Sequence, residues 1–169
     1  ETGEPFCLYL GLKAPHLPFS YPPRYEHALD DVEIPKPDSF DEDYDQTGKA
    51  AILKDTIIRI NTFRGGLPLF DNSWDKYIKS YYRAVMALDD GLGTVMQAID
   101  EAGIADNTIL IYTSDQGYSH GDHGLTEKHF AYEQVMRIPL IVRYPPLVAP
   151  GSQRDEMVLN IDVAPTLLD

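Results

Sequence analysis

Only one cysteine, Cys7, stands among the 169 residues. That excludes an internal disulfide framework and leaves the redox compartment open. Positive charge is also scarce: 14 Lys and Arg face 27 Asp and Glu, for a formal net charge of −13. A field of that sign repels polyanions, which argues against nucleic acid and anionic membrane as partners. An anionic substrate would need a local positive site to overcome it. No apolar run approaches the roughly 18 residues of a membrane span. Repeats and low-complexity tracts are missing as well. The chain begins at Glu1-Thr-Gly-Glu rather than Met and stops inside Ile161-Asp-Val-Ala-Pro-Thr-Leu-Leu-Asp169. Both ends read as cuts and so say nothing about targeting.

What is present is enough for one ordinary core: 43% of residues are hydrophobic, and the length is too short to argue for two cores. Residues 6–12, Phe-Cys-Leu-Tyr-Leu-Gly-Leu, form an apolar run of strand length. A run apolar on both faces suits a central strand covered by helices, with Cys7 as a small core residue. Prolines 15, 18, 22, 23, 35 and 37 predict an extended surface loop, with at most a helical turn near Pro23–His27. Asp38 to Asp45 is acidic and reads as solvated. A helix is expected over Gly48–Phe63, ended by Arg64-Gly-Gly-Leu-Pro68.

The clearest helix is expected from about Ser73 to Ala102. Ile78, Tyr81, Tyr82, Val85, Leu88, Leu92, Val95, Met96 and Ile99 repeat at helical spacing. Ser73 suits the N-cap, Asp75 the first turn, and Gly103 the position beyond the end. Gly91 and Gly93 each cost about 1 kcal/mol against Ala, so tight packing or a bend is expected there. Strands follow at Thr108–Tyr112 and Arg137–Arg143, with a short one at Glu156–Leu159 and a last helix opened by Asp162. Helix–strand alternation with apolar strands points to an α/β sandwich around a mostly parallel sheet.

The chemistry concentrates after the Thr108–Tyr112 strand. Asp115 and Gln116 sit at its carboxyl end, the rim where open α/β sheets bind ligands. Lys128 returns thirteen positions later through a Gly- and His-rich loop. A carboxylate beside an amide oxygen suits a hard cation such as Ca²⁺ or Mg²⁺, although about six oxygens are needed. On position alone Asp115 serves equally well to cap the turn, and on composition alone Lys128 is more often a solvated surface cation. His120, His123 and His129 raise a zinc site, but their spacing matches neither a helical HxxxH pair nor a Cys/His finger. His16, flanked by prolines, reaches the same rim if both strands share one parallel sheet. There it can donate a proton to a leaving oxygen, or simply satisfy turn carbonyls. Tyr81, Tyr82, Tyr112, Tyr118 and Tyr132 suit a carbohydrate cleft or ordinary core packing.

Taken in order, six phrases resemble the type I sulfatases of the alkaline phosphatase superfamily: residues 6–19, 81–93, 107–117, 121–128, 137–143 and 163–169. The resemblance omits little beyond the acidic and Pro-rich stretch near residues 30–72. It implies an alkaline-phosphatase-like α/β sandwich, with residues 1–169 as part of a catalytic domain and 30–72 as a variable insertion. It also implies hydrolysis of a sulfate ester, with sulfated carbohydrate as the default substrate. By the same resemblance Asp115 and Gln116 are metal ligands for Ca²⁺, with Mg²⁺ the lesser fit. Lys128 binds sulfate, His16 faces the sulfate and the leaving group, and His123 binds substrate. Such roles amount to electrostatic stabilisation in a preorganised pocket. Periplasmic, secreted or lysosomal placement goes with the family.

Two departures stand out. Gln116 occupies a position where the family usually has Asn or His. The Cys/Ser-x-Pro-x-Arg motif, whose first residue becomes formylglycine, is not in this sequence, and Cys7 is followed by Leu8, Tyr9 and Leu10. No nucleophile is therefore assigned here; it is expected upstream, together with the rest of the domain, and these residues alone are expected to hydrolyse nothing. The competing readings are a phosphodiester or phosphonate monoester hydrolase of the same superfamily, and a non-catalytic binder of sulfated glycans.

Overall fold

In the computed structural model, which describes residues 3–46 and 68–169, the long apolar stripe becomes helix α1, Trp74–Glu101. The Ser73 hydroxyl accepts from the Lys76 backbone N–H at 3.3 Å, as an N-cap should. Gly103, at φ +69°, turns the chain out of the helix. The deepest residue of α1 is Tyr77, fully buried, which the expected stripe left out. Tyr82, which that stripe included, is exposed. Gly91 and Gly93 lie within the unbroken helix, and a Cβ added at either would meet nothing within 4 Å. Tight packing among the described residues is thus not their reason.

Phe19, Tyr77, Ile78 and Ala84 form the first core cluster, with Leu17, Ile34, Phe70, Trp74 and Tyr81 against it. Each large apolar side chain so buried contributes about 1.5–3 kcal/mol. The Pro-rich segment is a loop with one 3₁₀ turn at Pro23–Tyr25, as expected, and it packs against α1. Polar bonds tie it down. Arg83 Nε donates to the Ala28 carbonyl at 2.8 Å, and its NH2 pairs with Asp30 at 2.5 Å. Lys79 donates to the Asp30 carbonyl at 3.2 Å and pairs with Asp75 at 2.9 Å. Both cations are buried and both are matched, as burial of charge requires.

After a 3₁₀ turn at Ala105–Asn107 comes β1, Leu110–Thr113. Strands β2, Ser119–His120, and β3, Thr126–Glu127, form a short hairpin in register Ser119↔Glu127 and His120↔Thr126. Helix α2, Glu133–Met136, precedes β4, Leu140–Arg143. β4 pairs with β1 antiparallel, Leu110↔Arg143 to Thr113↔Leu140. Among the described residues both ladders are antiparallel; the alternating α/β layout is as expected, and antiparallel members are common in mixed sheets. Helix α3, Asn160–Leu168, opens two residues before Asp162, whose carboxylate accepts from the Leu159 N–H at 2.8 Å.

Three expectations need correction. Residues 6–12 join no ladder, and Phe6, Leu8, Tyr9, Leu10 and Leu12 are more than half exposed. A strand apolar on both faces is stable only with neighbours and covering layers, and the described residues supply neither. Cys7 is accordingly exposed rather than in the core. Residues 156–159 likewise form no ladder. The acidic run is not simply solvated: Tyr44 is buried, Phe40 and Glu42 are half-buried, and Asp41, Asp43 and Asp45 point outward. Tyr44 packs with Leu125 in a second core cluster, flanked by Phe130 and Tyr132. The helix expected at Gly48–Phe63 lies outside the described residues. No helix of the described residues is long and apolar enough to cross a membrane.

Candidate active site

An aromatic cluster joins the segments that carry the candidate residues. Phe19, three residues after His16, meets Tyr77, Tyr81, Tyr118 and His120 at centroid distances of 5.3, 5.4, 6.4 and 6.4 Å. Tyr118 and His120 stack at 4.7 Å, two and four residues beyond Gln116. The hairpin register then returns the chain: Glu127 pairs with Ser119, the residue after Tyr118, and Lys128 follows it directly. The loops of His16, of Asp115 and Gln116, and of Lys128 are therefore fastened to one aromatic platform.

The turn after β1 is built around Gly117. Its N–H donates to the Val135 carbonyl at 2.7 Å and the Tyr118 N–H to the Gln134 carbonyl at 2.9 Å. A Cβ at Gly117 would fall onto the Gln134 carbonyl oxygen, so only glycine admits this approach. Ser114 Oγ donates to the Gln116 carbonyl at 2.8 Å. From α3, Asn160 Nδ2 donates to the Asp115 carbonyl at 3.2 Å. These bonds hold the backbone of the turn and leave the side chains at its outer edge. Asp115 is exposed and Gln116 half-buried. Among the described residues the Asp115 carboxylate receives only a long contact from Ser114 Oγ, 3.4 Å.

His16 is exposed, and its Nδ1 donates to the Leu17 carbonyl at 2.8 Å. Because a carbonyl only accepts, Nδ1 carries the proton and Nε2 is the ring atom left to other partners. Lys128 is half-buried and, among the described residues, makes no hydrogen bond or ion pair. An ammonium kept free of carboxylates in so acidic a chain suits an anion brought from outside.

The remaining imidazoles diverge. His120 is enclosed by Tyr77, Tyr81 and Tyr118, with the Tyr81 ring 3.9 Å from its own and Nδ1 3.0 Å from the Tyr77 hydroxyl. Its Nε2 is buried without a partner. Burial penalises the charged ring and pulls its pKa down to about 4. The same burial pushes the Tyr77 and Tyr118 hydroxyls up. His129 pairs with Glu127 at 2.9 Å. His123 pairs with Glu42 at 2.6 Å and stacks on Tyr132 at 4.3 Å. Its backbone N–H donates to Ser39 Oγ at 2.9 Å, and its carbonyl accepts from the Tyr44 hydroxyl. With three separate partners, the three rings do not share a metal. Of the candidate tyrosines, Tyr77's neighbours Tyr81 and Tyr118 belong to the core platform, while Tyr132 lines the His123 turn.

For a hard cation the donor set is right in kind, a carboxylate and an amide oxygen on consecutive residues. No group of three or more His, Cys, Asp or Glu gathers among the described residues. Asp115 and Gln116 thus supply two of about six oxygens. Sequence reasoning missed Asn160, Ser39, Glu42 and Tyr44 as supports. Only Asn160 carried a signal, as a polar residue at the mouth of a helix.

Comparison with known proteins agrees along the whole chain. A family model described as Sulfatase matches residues 1–169. The chain is 30% identical, over an alignment of 220 positions, to an N-acetylglucosamine-6-O-sulfatase of Bacteroides thetaiotaomicron, covering 100% of this chain and 39% of that protein. It is 29% identical over 170 residues to an N-acetylglucosamine-6-sulfatase of Bos taurus, covering 100% and 29%. A solved structure of a protein in complex with its substrate D-glucosamine-2-N,6-O-disulfate superposes with a TM-score of 0.80 at 24% identity, over 92% of this chain and 42% of that one. The chain therefore spans about three tenths to two fifths of the length of these two curated relatives. Its fold is the alkaline-phosphatase-like one, and with the family model matched from first residue to last, the chain belongs to the sulfatase family.

Proposed function

We propose that the full-length protein is a sulfuric ester hydrolase acting on sulfated carbohydrate, with 6-O-sulfated N-acetylglucosamine the first substrate to try. The observation that carries this reading is the joining of three loops on one aromatic platform, each presenting a side chain suited to a sulfate ester. The named activities of the relatives supply the sugar.

In this reading Lys128 binds a sulfate oxygen as a point charge, cancelling locally the repulsion of a chain at −13. His16, with Nδ1 held on the Leu17 carbonyl, turns Nε2 toward the ester oxygen and, protonated, delivers a proton to the departing alcohol. Asp115 and Gln116 would hold Ca²⁺ with oxygens from elsewhere in the protein; when bound, the ion withdraws charge from the sulfate. The attacking group is not among these 169 residues, and formylglycine generated upstream is the proposed nucleophile. Gly117 and Asn160 keep the Asp115 turn fixed, so the pocket has little to reorganise during reaction.

The test is turnover by the full-length protein of N-acetylglucosamine 6-sulfate and of an aryl sulfate, beside an aryl phosphodiester. Sulfate release with the diester poorly used supports the reading. A preference for the diester, or binding of the sulfated sugar without turnover, would replace it with one of the rivals.

A further inference from the structure

Glu42 belongs to none of the six phrases that carried the resemblance, yet it meets a candidate substrate residue 81 positions away in sequence. The pair is enclosed: the side chains of His123 and Glu42 are 22% and 15% exposed, and Nδ1 lies 2.6 Å from Oε2. Everything around the ring is fixed. Tyr132 stacks on one face, Ser39 holds the backbone N–H and Tyr44 the carbonyl. Gly121 opens the turn at φ +89°, with the Phe40 ring 2.7 Å from where a Cβ would stand. A residue held at φ 56° in this way is conformationally costly outside glycine, so the enclosing contacts must over-determine it.

The bond polarity has a chemical consequence. A carboxylate only accepts, so Nδ1 carries the proton of the neutral ring and Nε2 is left as an acceptor. Among the described residues that nitrogen has no hydrogen-bond partner, and it is not one of the buried unsatisfied atoms. Lys128 sits at the base of the β2–β3 hairpin and His123 at its tip. Their placement at opposite ends of the hairpin suits His123 to a group on the sugar and Lys128 to the sulfate.

Resting on the sulfatase reading above, we propose that Glu42 is a positioning residue for the carbohydrate: it fixes His123 as the Nδ1–H tautomer, so that Nε2 accepts a hydrogen bond from a sugar hydroxyl or amide N–H. Among the described residues, the other titratable groups around His123 are Tyr132 on the ring face and Tyr44 on the backbone carbonyl, with Asp122 adjacent in sequence and turned to the His120 backbone N–H.

The test compares wild type with Glu42→Gln and Glu42→Ala in the full-length protein. Gln keeps the volume but can donate to Nδ1, which drives the proton to Nε2 and reverses the polarity offered to the sugar. The expected result for Glu42→Gln is a KM for N-acetylglucosamine 6-sulfate raised about tenfold with kcat nearly kept, and an aryl sulfate affected less than twofold. Nitrogen-15 NMR of the labelled histidine should report Nδ1–H in wild type and the exchanged tautomer in Glu42→Gln. Equal losses in kcat on both substrates, or an unchanged tautomer, would overturn the proposal and leave Glu42 as a loop clamp. Should wild type hydrolyse neither ester, the sulfatase reading falls by itself. The dyad is then judged by the tautomer and by affinity for the sulfated sugar: weaker binding in Glu42→Gln sustains it, unchanged binding ends it.

Discussion

His123 follows His120 by three positions, and the hairpin gives them opposite environments. The His120 ring is shut inside a cage of Tyr77, Tyr81 and Tyr118, and burial holds it neutral. His123 stands at the hairpin tip against Glu42, stacked on Tyr132 and partly open to solvent. The same contrast divides the molecule. One region, the platform under α1, is aromatic and closed. The other, the loops that carry His16, Asp115, Gln116 and Lys128, is polar and, among the described residues, mostly unpaired. The lesson is that a closed region supplies rigidity, and polar groups can be left without partners only where something rigid holds them for a ligand.

The two regions should fail differently. Phe19→Ala, in the platform, should destabilise the fold by about 3–5 kcal/mol, read as a lowered denaturant midpoint. Lys128→Ala, at the rim, should instead cut turnover by the full-length protein about 10²–10³-fold, while moving stability by about 0.5 kcal/mol or less. A Lys128→Ala protein that unfolds but keeps its specific activity would erase the distinction.

Acid should act on the platform through His120. Its folded pKa, about 4, lies below the ordinary 6.5, so the unfolded chain binds more protons between those values. Stability is then full above about pH 6.5 and falls as pH drops toward 4, by on the order of 3 kcal/mol. His120→Leu should flatten that part of the stability–pH curve, measured by urea unfolding at pH 7 and pH 4.5. An equal slope in the variant would show that the cage does not govern acid sensitivity. The smallest effect belongs to Gly91→Ala, where a Cβ meets open space. It should stabilise by up to about 1 kcal/mol; a loss would mean that another part of the full-length protein packs closely there.

How far the sequence disclosed this division depended on the range of the interactions. Helix α1 was legible because 28 residues repeat one period between a capping Ser73 and a terminating Gly103. The strands Leu110–Thr113 and Leu140–Arg143 were legible as short apolar runs. Residues 6–12 misled because apolar content signals burial only where neighbours exist to provide it. Tyr77 escaped the stripe although it is the most buried residue of the helix, since a tyrosine's hydropathy says little about which face it takes. The segment 38–45 was hidden by its charge: the inward set Phe40, Glu42 and Tyr44 alternates with acids facing water. The Glu42–His123 contact, set by tertiary folding, left no local trace. The rim residues were picked out by residue type and by their place beside Gly117. Their segments meet on the platform, and their roles await the measurement below.

The central claim is that His16, Asp115, Gln116 and Lys128 face one bound ester and one cation. Crystals of the full-length protein soaked with Ca²⁺ and a slowly hydrolysed sulfated N-acetylglucosamine test it most directly. The expected map has the cation within about 2.3–2.6 Å of Asp115 and Gln116 side-chain oxygens, with Lys128 Nζ and His16 Nε2 at hydrogen-bond distance from the ester. A cation held elsewhere, or a sulfate beyond reach of Lys128 and His16, would contradict the account.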